Sequence, residues 1–358
     1  MSRVEWVCRK CGFRSDLWST YYWRCPVCSS PLYIEYEYRF EKEERRDLRR
    51  FSGMLPFTPE KSRGEGFTRL VEEKINENRV LFKLEYLNPS GSFKDRGSSL
   101  AIYYAYKMGF REVVEDTSGN TGISVALYSK LYGLRARIYM PRTAPEGKKK
   151  LVKSLGAEII EAPTRADASE AVLRDLSSDR FYVAHTWNYL YALGASTIAY
   201  EVYEEFGVPD YVISPIGSGG LLLGLYLGFE NLRRLGLASK TPTLIGVQGY
   251  SAQPVYEKMY GRREAGESSD LADGIMVSNP PRINDIIEAI KSSGGRVVLV
   301  GNREISEATR ELYEMGFIVE PTSAAAYAVY KKIQGGTKRS SVLIPLTGSG
   351  LKLVSSLS

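Results

Sequence analysis

The stretch Asn88-Pro89-Ser90-Gly91-Ser92-Phe93-Lys94-Asp95-Arg96-Gly97 joins an apolar run, Val80–Tyr86, to a segment with the pattern of a helix. A lysine at the start of a helix lies near the positive end of the helix dipole, which helps to keep its amine unprotonated and nucleophilic. Lys94 is therefore a candidate nucleophile. A lysine alone is weak evidence, because most lysines are surface charges.

Short apolar runs alternate with helical stretches along most of the chain. The predicted strands are Val80–Tyr86, Val113–Asp116, Ala136–Met140, Glu158–Glu161, Tyr182–Ala184, Tyr211–Ser214, Leu244–Gln248, Arg296–Val300 and Val342–Leu346. Helices are expected between most of them, for example over Thr121–Tyr132 and Ser196–Phe206. This alternation predicts an α/β fold of parallel sheets covered by helices on both faces. In such sheets ligands bind at the carboxyl ends of strands.

Three further loops follow predicted strands. The hydroxyls and amides of Thr117-Ser118-Gly119-Asn120-Thr121-Gly122 suit a carboxylate, although a simple capping loop is an equal alternative. The closely spaced glycines of Pro215-Ile216-Gly217-Ser218-Gly219-Gly220 let N–H groups converge on a phosphate, with a spacing unlike the dinucleotide fingerprint or the P-loop. In Leu346-Thr347-Gly348-Ser349-Gly350 a hydroxyl is available to a ring nitrogen.

In this order the four loops resemble those of the fold type II pyridoxal 5′-phosphate (PLP) enzymes, the tryptophan synthase β family, and are most similar to those of threonine synthases. The similarity runs from about Phe67 to Lys352, and Glu320–Ala326 contains the family's Glu-Pro-x-Ser-Ala-Ala segment. The resemblance implies two parallel-sheet, three-layer domains. We expect a large PLP-binding domain over 41–96 and 180–358 and a smaller mobile domain over 97–179.

The resemblance also implies roles for individual residues. Lys94 would form the Schiff base with PLP and carry protons, Asn120 would bond the 3′-oxygen of the cofactor, and Thr347 would meet the pyridine nitrogen. The residues expected at the PLP phosphate are Gly217, Ser218, Gly219 and Gly220. Those expected at the amino-acid substrate are Thr117, Ser118, Gly119, Thr121, His185 and Thr186. A Thr at the ring nitrogen does not enforce a pyridinium, which favours elimination and replacement over transamination.

One segment departs from the threonine synthase pattern, in which an Asn-Ser-x-Asn-Pro-x-Arg loop helps to hold the phosphate of the substrate. Here His185 stands in place of the first Asn and Tyr191 in place of the Arg, and Ser349 replaces a usual His. Tyr has neither the charge nor the bidentate fork of Arg. Other cations would then have to bind the phosphate, and the candidates are Lys148, Lys149, Lys150, Lys153 and Arg282.

Several functions therefore stay open at this point. The leading prediction is a threonine synthase that converts O-phosphohomoserine and water into L-threonine and phosphate. The alternatives are a serine/threonine dehydratase, whose relatives carry a His at a place similar to His185, and a β-replacing cysteine or cysteate synthase. A PLP-fold protein without activity is disfavoured, because Lys94, Asn120 and the glycine loop are intact.

The cysteines form two CxxC pairs near the N-terminus. The spacing of Cys8, Cys11, Cys25 and Cys28 suits tetrahedral Zn²⁺, with reduced thiols or two disulfides as the alternative. Four protein ligands leave no open position on the metal, so a structural zinc is expected in a ribbon-like segment over 1–40.

Composition limits the class of partner. The net charge of +6 is a mild excess, and basic runs such as Lys148-Lys149-Lys150 are expected to be solvated helix faces rather than nucleic-acid sites. No run of eighteen apolar residues or signal peptide is present, so a cytoplasmic protein with no membrane partner is expected. A homodimer is expected as well. The scarcity of Gln favours a thermophilic source.

Overall fold

A computed structural model describes residues 3–337 and 339–356. Its strands are β1 (Glu5–Val7), β2 (Arg14–Asp16), β3 (Tyr33–Glu35), β4 (Leu70–Ile75), β5 (Asn78–Lys83), β6 (Glu112–Asp116), β7 (Arg135–Pro141), β8 (Glu158–Ala162), β9 (Arg180–Tyr182), β10 (Tyr211–Pro215), β11 (Thr243–Gly249), β12 (Arg296–Val300) and β13 (Ser341–Pro345). Its α-helices are α1 (Lys94–Lys107), α2 (Asn120–Tyr132), α3 (Glu146–Ser154), α4 (Arg165–Arg174), α5 (Tyr189–Glu205), α6 (Gly220–Arg234), α7 (Pro254–Tyr260), α8 (Ile283–Ser292), α9 (Asn302–Glu314) and α10 (Pro321–Ile333). Short 3-10 helices cover Leu48–Met54, Glu85–Leu87, Asp273–Ile275, Gln334–Gly336 and Gly350–Ser356.

The chain divides into two compact units. Unit 1 comprises the residues up to Gly66, the segment Lys94–Gly194 and the residues from Lys352 onward. It contains a small antiparallel sheet of order β2-β1-β3 and a parallel sheet of order β8-β7-β6-β9. Val114 and Tyr139 of this parallel sheet pack with Val172 of α4 in a buried cluster, which places an apolar core between sheet and helix.

Unit 2 comprises Phe67–Phe93 and Ala195–Leu351. Its sheet has the order β12-β11-β10-β13-β5-β4, in which β4 is antiparallel to β5 and the other pairs are parallel. Phe82, Ile213 and Ile344 are buried from this sheet against Ala325 of α10. Such near-continuous burial is typical of the central strands of a parallel sheet.

The predicted parallel α/β architecture is confirmed, and every predicted strand is found within two or three residues of its expected bounds. The strand predicted at Tyr182–Ala184 ends at Tyr182, because Ala184 has a left-handed backbone (φ 50°) that breaks the extended chain. Strand β4 was not predicted. It lies at the edge of its sheet, half-exposed, and lacks a continuous apolar run.

The expected domain boundaries, at 97 and 179, differ from those of the two units. Helix α1, which begins with Lys94, belongs to unit 1. Asp95 in its first turn accepts a hydrogen bond from the Ser124 hydroxyl of α2 (2.5 Å), and this bond ties α1 to the helix beside it. Among the described residues, no helix combines the length and the apolar character that crossing a membrane requires.

Candidate active site

Lys94 is the first residue of α1 and is half-buried. Asp95, which follows it, is fully buried and bonded to Ser124. An acidic side chain in the first turn is favoured by the helix dipole, so the same residue caps α1 electrostatically and fixes it on α2. The first turn of α1, which carries Lys94, is therefore fixed relative to α2.

The loop expected to bind a carboxylate runs from the end of β6 to the start of α2. The Thr117 hydroxyl accepts a hydrogen bond from the Gly119 N–H (3.0 Å), which closes a tight turn before α2 begins at Asn120. A Cβ on Gly119 would lie 2.2 Å from Cδ of Lys148, so the stem of this lysine crosses the loop. N–H groups at the start of a 13-residue helix suit a carboxylate.

His185 lies in the turn between β9 and α5. The left-handed Ala184 directs its carbonyl to the N–H groups of Trp187 (2.7 Å) and Asn188 (2.8 Å), and α5 begins at Tyr189. The His185 side chain is 10% exposed, and its Nδ1 is hydrogen-bonded to the carboxyl group of Glu115 in β6, which is 0% exposed. The histidine is therefore partnered from the carboxyl end of the neighbouring strand.

The ionisation of this pair is set by its surroundings. Burial, together with the neighbouring Asp116 carboxylate, raises the pKa of Glu115 well above its ordinary value. Burial, together with the positive charges of Lys94 and Arg165, lowers the pKa of His185 well below its ordinary value. Both shifts favour the uncharged forms, and with both groups uncharged the Glu115 hydroxyl would donate to Nδ1 of His185.

Asp116 behaves differently because it has a cation. Burial acts to raise its pKa, but Arg165 and the hydroxyls of Ser169 and Tyr182 lower the pKa of Asp116 to about 2. Arg165 also donates to the Asp116 backbone carbonyl (2.9 Å). The carboxylate is thus ionised and fully engaged.

Tyr191 is a packing residue in this structure. It is buried, its hydroxyl is hydrogen-bonded to the Ser98 hydroxyl of α1 (2.9 Å), and a Cβ on Gly97 would lie 2.4 Å from its ring. The position at which threonine synthases are expected to carry an Arg therefore contributes here to the contact between α1 and α5.

Asn120, the first residue of α2, is bonded to the last helical segment of the chain. The Lys352 ammonium donates to Asn120 Oδ1 at 2.7 Å. Lys352 is 7% exposed, so its charge is largely removed from solvent.

In unit 2 the predicted glycine loop lies between β10 and α6. Gly219 has φ 89°, and a Cβ on Gly217 would lie 2.2 Å from the carbonyl oxygen of Gly274. These positions exclude side chains, and the loop leads directly into the N-terminus of the 15-residue helix α6. Such a cradle fits a dianionic phosphate like that of PLP.

Thr347 follows β13, the strand beside β10, and is buried. Its hydroxyl is hydrogen-bonded to the Ser323 hydroxyl in the first turn of α10 (3.0 Å), and Ser323 Oγ also accepts from the Gly348 N–H (3.0 Å). The segment matched to the family motif Glu-Pro-x-Ser-Ala-Ala therefore fixes the loop that carries Thr347. A neutral hydroxyl at this position fits a pyridine nitrogen that is not protonated.

The four cysteines of unit 1 come together, with Cys8 directly after strand β1. Their sulfur atoms all lie within 4.8 Å of one another. Aromatic contacts join this segment to the residues around His185: Trp23 packs on Trp187 (5.3 Å between ring centroids) and Tyr33 on Tyr189 (5.2 Å). The cysteine-rich segment therefore supports the turn between β9 and α5.

Each unit gathers its own share of the predicted site residues. In unit 1, Lys94 opens α1, and Asn120 and Thr121 open α2. The turns that follow β6 and β9 carry Thr117, Ser118, Gly119, His185 and Thr186. In unit 2, Gly217, Ser218, Gly219, Gly220 and Thr347 follow the adjacent strands β10 and β13. The sequence analysis missed Glu115 and Lys352. Two consecutive acids at the end of a buried strand were a signal for Glu115, whereas nothing marked Lys352.

Fold and site together define a PLP-dependent enzyme of the parallel α/β class. The chain belongs to the pyridoxal-phosphate dependent enzyme family, whose model matches residues 61–348. It is 30% identical to a threonine synthase of Methanocaldococcus jannaschii over 96% of this chain and 92% of that one. A threonine synthase of Methanosarcina acetivorans is 28% identical over 91% and 86%.

Solved structures of the same fold include enzymes of a different specificity. A cysteine synthase from Entamoeba histolytica superposes with a TM-score of 0.68 at 25% identity, covering 81% of this chain and 87% of that chain. An O-acetylserine dependent cystathionine beta-synthase from Helicobacter pylori gives a TM-score of 0.67 at 25% identity, covering 81% and 95%. The predicted family and fold class are confirmed.

The ionisation of His185 can be tested directly, because it is the only histidine in the chain. In ¹⁵N-histidine-labelled protein we expect a single neutral imidazole from about pH 6 to 8, with its proton on Nε2, since protonated Glu115 donates to Nδ1. Glu115→Gln should keep this tautomer, because a side-chain amide also donates. Urea-unfolded protein is the control and should titrate near the ordinary pKa of about 6.5. A doubly protonated ring in the folded protein at pH 7 would contradict the assignment.

Proposed function

We propose that this enzyme is a threonine synthase, which converts O-phosphohomoserine and water into L-threonine and phosphate. The observation that carries the proposal is the extent of the similarity to threonine synthases, which reaches 96% of this chain and so includes most of the cysteine-rich N-terminal segment. Unit 1 supports it with a buried lysine beside the loop expected to bind the substrate.

The proposed cofactor is PLP, with its phosphate on Gly217–Gly220, its 3′-oxygen on Asn120 and its ring nitrogen on Thr347. When bound, PLP would supply an electron-withdrawing ring that stabilises negative charge at the Cα of the substrate. The Lys94 amine would remove protons from Cα and Cβ as phosphate leaves Cγ. One proton would return to Cγ before water adds at Cβ, and the other would return to Cα afterwards. The turn at Thr117–Thr121 would hold the carboxylate throughout.

Among the candidate cations, we favour Lys148 as the ligand of the substrate phosphate. Its side chain crosses Gly119 and is 1% exposed. Lys149 is engaged with Glu146 (3.1 Å), Glu161 (3.0 Å) and the Arg142 carbonyl (2.9 Å).

The remaining candidate cations fit the role of a phosphate ligand less well than Lys148. Lys150 and Lys153 are exposed on α3, and Arg282 of unit 2 is ion-paired with Asp285 (3.1 Å). A buried ammonium beside the carboxylate turn would pair with a phosphate dianion with little screening by water.

Lys148→Met should raise the KM for O-phosphohomoserine about tenfold or more, because a charge-assisted contact contributes about 1.5–3 kcal/mol. The absorbance of bound PLP should not change. Steady-state kinetics and inhibition by inorganic phosphate measure the effect, with Lys150→Met as the exposed control on the same helix and Lys148→Gln as a second variant. A wild-type KM and phosphate inhibition in both folded Lys148 variants would remove this lysine from the phosphate site.

A second candidate is an enzyme acting on an unphosphorylated or β-activated amino acid, such as a serine/threonine dehydratase or a β-replacing synthase. Two observations favour it. The pKa shifts of Glu115 and His185 favour a neutral pair, which would suit a substrate hydroxyl, and Tyr191 supplies no charge. The solved structures with the same fold named above are β-replacing enzymes by their names.

Product analysis separates the candidates. Purified enzyme incubated separately with O-phosphohomoserine, threonine, serine and O-phosphoserine should release threonine and phosphate in equal amounts from the first alone. Lys94→Ala is the inactive control, because it lacks the proposed proton carrier. A 2-oxo acid from serine or threonine, without turnover of O-phosphohomoserine, would replace the synthase by a dehydratase. Phosphate from O-phosphoserine only with added sulfite or sulfide would indicate β-replacement.

We further propose that Cys8, Cys11, Cys25 and Cys28 bind one structural Zn²⁺. Four sulfur atoms within 4.8 Å of one another match a tetrahedral site, and four protein ligands leave no position for a substrate. The cytoplasmic location and the homodimer remain predictions, and sedimentation of the purified enzyme tests the second.

Metal analysis should find about one zinc per chain. Chelation should change the tryptophan fluorescence and leave PLP absorbance unchanged, because Trp6, Trp18 and Trp23 lie in the cysteine-rich segment and Trp187 packs on Trp23. Cys11→Ser should reproduce the change without chelator. Stoichiometric metal removal that releases PLP, or that leaves the fluorescence unaltered, would contradict a structural zinc confined to this segment.

A further inference from the structure

In the hydrogen bond between Lys352 and Asn120, the lysine must be the donor and the asparagine the acceptor. An ammonium group carries donors and no acceptor, so it can meet the Asn120 side chain only at Oδ1. The 2.7 Å bond therefore fixes which end of the amide faces the lysine. Nδ2, which carries the donors of the amide, is the opposite end.

This bond joins two parts of the chain that local sequence does not connect. Lys352 lies in the 3-10 helix Gly350–Ser356 and Asn120 opens α2, 232 residues earlier. Because Lys352 is 7% exposed, its interaction with the amide is weakly screened by water. If the only role of Lys352 were to hold its 3-10 helix in place, an apolar residue would serve with a smaller cost in desolvation free energy.

We infer that Lys352 is a positioning residue for PLP: it holds Asn120 with its N–H donor toward the 3′-oxygen of the cofactor. The positive charge of Lys352 polarises the Asn120 amide and makes its N–H a stronger donor. A stronger donor stabilises the deprotonated form of the 3′-oxygen. The inference rests on the proposed contact between Asn120 and PLP and does not depend on which amino acid is the substrate.

The test uses the full-length enzyme loaded with PLP. Lys352→Met removes the donor and the charge but keeps an unbranched side chain, and Lys352→Arg restores both. We expect Lys352→Met to bind PLP about tenfold more weakly, the loss of one charge-assisted contact. Part of the absorbance near roughly 410–420 nm, typical of lysine-bound PLP, should shift to the shorter-wavelength form with a protonated 3′-oxygen. Lys352→Arg should retain most of both properties.

Two controls distinguish a lysine that positions Asn120 from one that only holds its 3-10 helix in place. Leu351 precedes Lys352 and is 64% exposed, so Leu351→Ala should leave PLP affinity and spectrum unchanged. In an Asn120→Ala background, Lys352→Met should have little additional spectral effect, because both changes remove the same contact.

Three outcomes would overturn the inference or its premise. A folded Lys352→Met protein with wild-type PLP affinity and spectrum refutes it, and Lys352→Gln serves as the second variant if Met does not fold. If Lys352→Met lowers the melting temperature but leaves the spectrum unchanged, Lys352 only holds its 3-10 helix in place. A wild-type spectrum for Asn120→Ala refutes the contact between Asn120 and PLP. Failure to turn over O-phosphohomoserine bears on the proposed reaction alone, since the spectra are recorded without substrate.

Discussion

The close approach of α1 and α5 is the constraint on which unit 1 depends. A Cβ on Gly97 would lie 2.4 Å from the Tyr191 ring, and one on Gly194 would lie 2.3 Å from the carbonyl oxygen of Arg96. Only glycine lets two helix backbones come this near. Because Lys94 precedes Gly97 by one turn and His185 precedes α5, the same approach fixes both side chains. A bulkier residue at 97 or 194 would move the candidate nucleophile relative to the Glu115–His185 pair.

Two buried carboxyl groups, those of Glu115 and Asp116, lie at the end of β6, and their surroundings limit how many of them can be ionised. Two adjacent carboxyl groups cannot both be ionised in a site of low dielectric unless each has a cation, since burying one ion costs several kcal/mol. Burial acts to raise the pKa of both carboxyl groups. At Asp116 the charge of Arg165 outweighs burial and the pKa is lowered, whereas the pKa of Glu115 is raised, which favours its protonated form beside His185. Asp116, the carboxyl group whose pKa is lowered, is thus the one that is paired with a cation.

The sequence predicted what local pattern controls. Apolar runs located the parallel strands, and glycines and hydroxyls marked the turns that follow them, because both depend on neighbouring residues. It could not predict pairings between distant segments: Ser98 with Tyr191, Glu115 with His185 and Asn120 with Lys352 are 93, 70 and 232 residues apart. Tyr191 shows the consequence. Its sequence position indicated a missing phosphate ligand, whereas the structure gives its hydroxyl and ring a role in helix packing.

The turn between β9 and α5 connects two properties that the sequence treats as separate. It carries His185, which differs from the threonine synthase pattern, and it is packed from outside by Trp23 and Tyr33 of the cysteine-rich segment. The glycine loop and Thr347, expected to bind PLP, belong to unit 2 and make their described contacts there, with Gly274 and Ser323. If His185 and Thr186 contact the substrate as proposed, changes in the β9–α5 turn would alter the choice of substrate without directly changing the residues proposed to bind the cofactor phosphate and ring nitrogen. Substrate specificity would then diverge at that turn while the chemistry supplied by PLP stays the same.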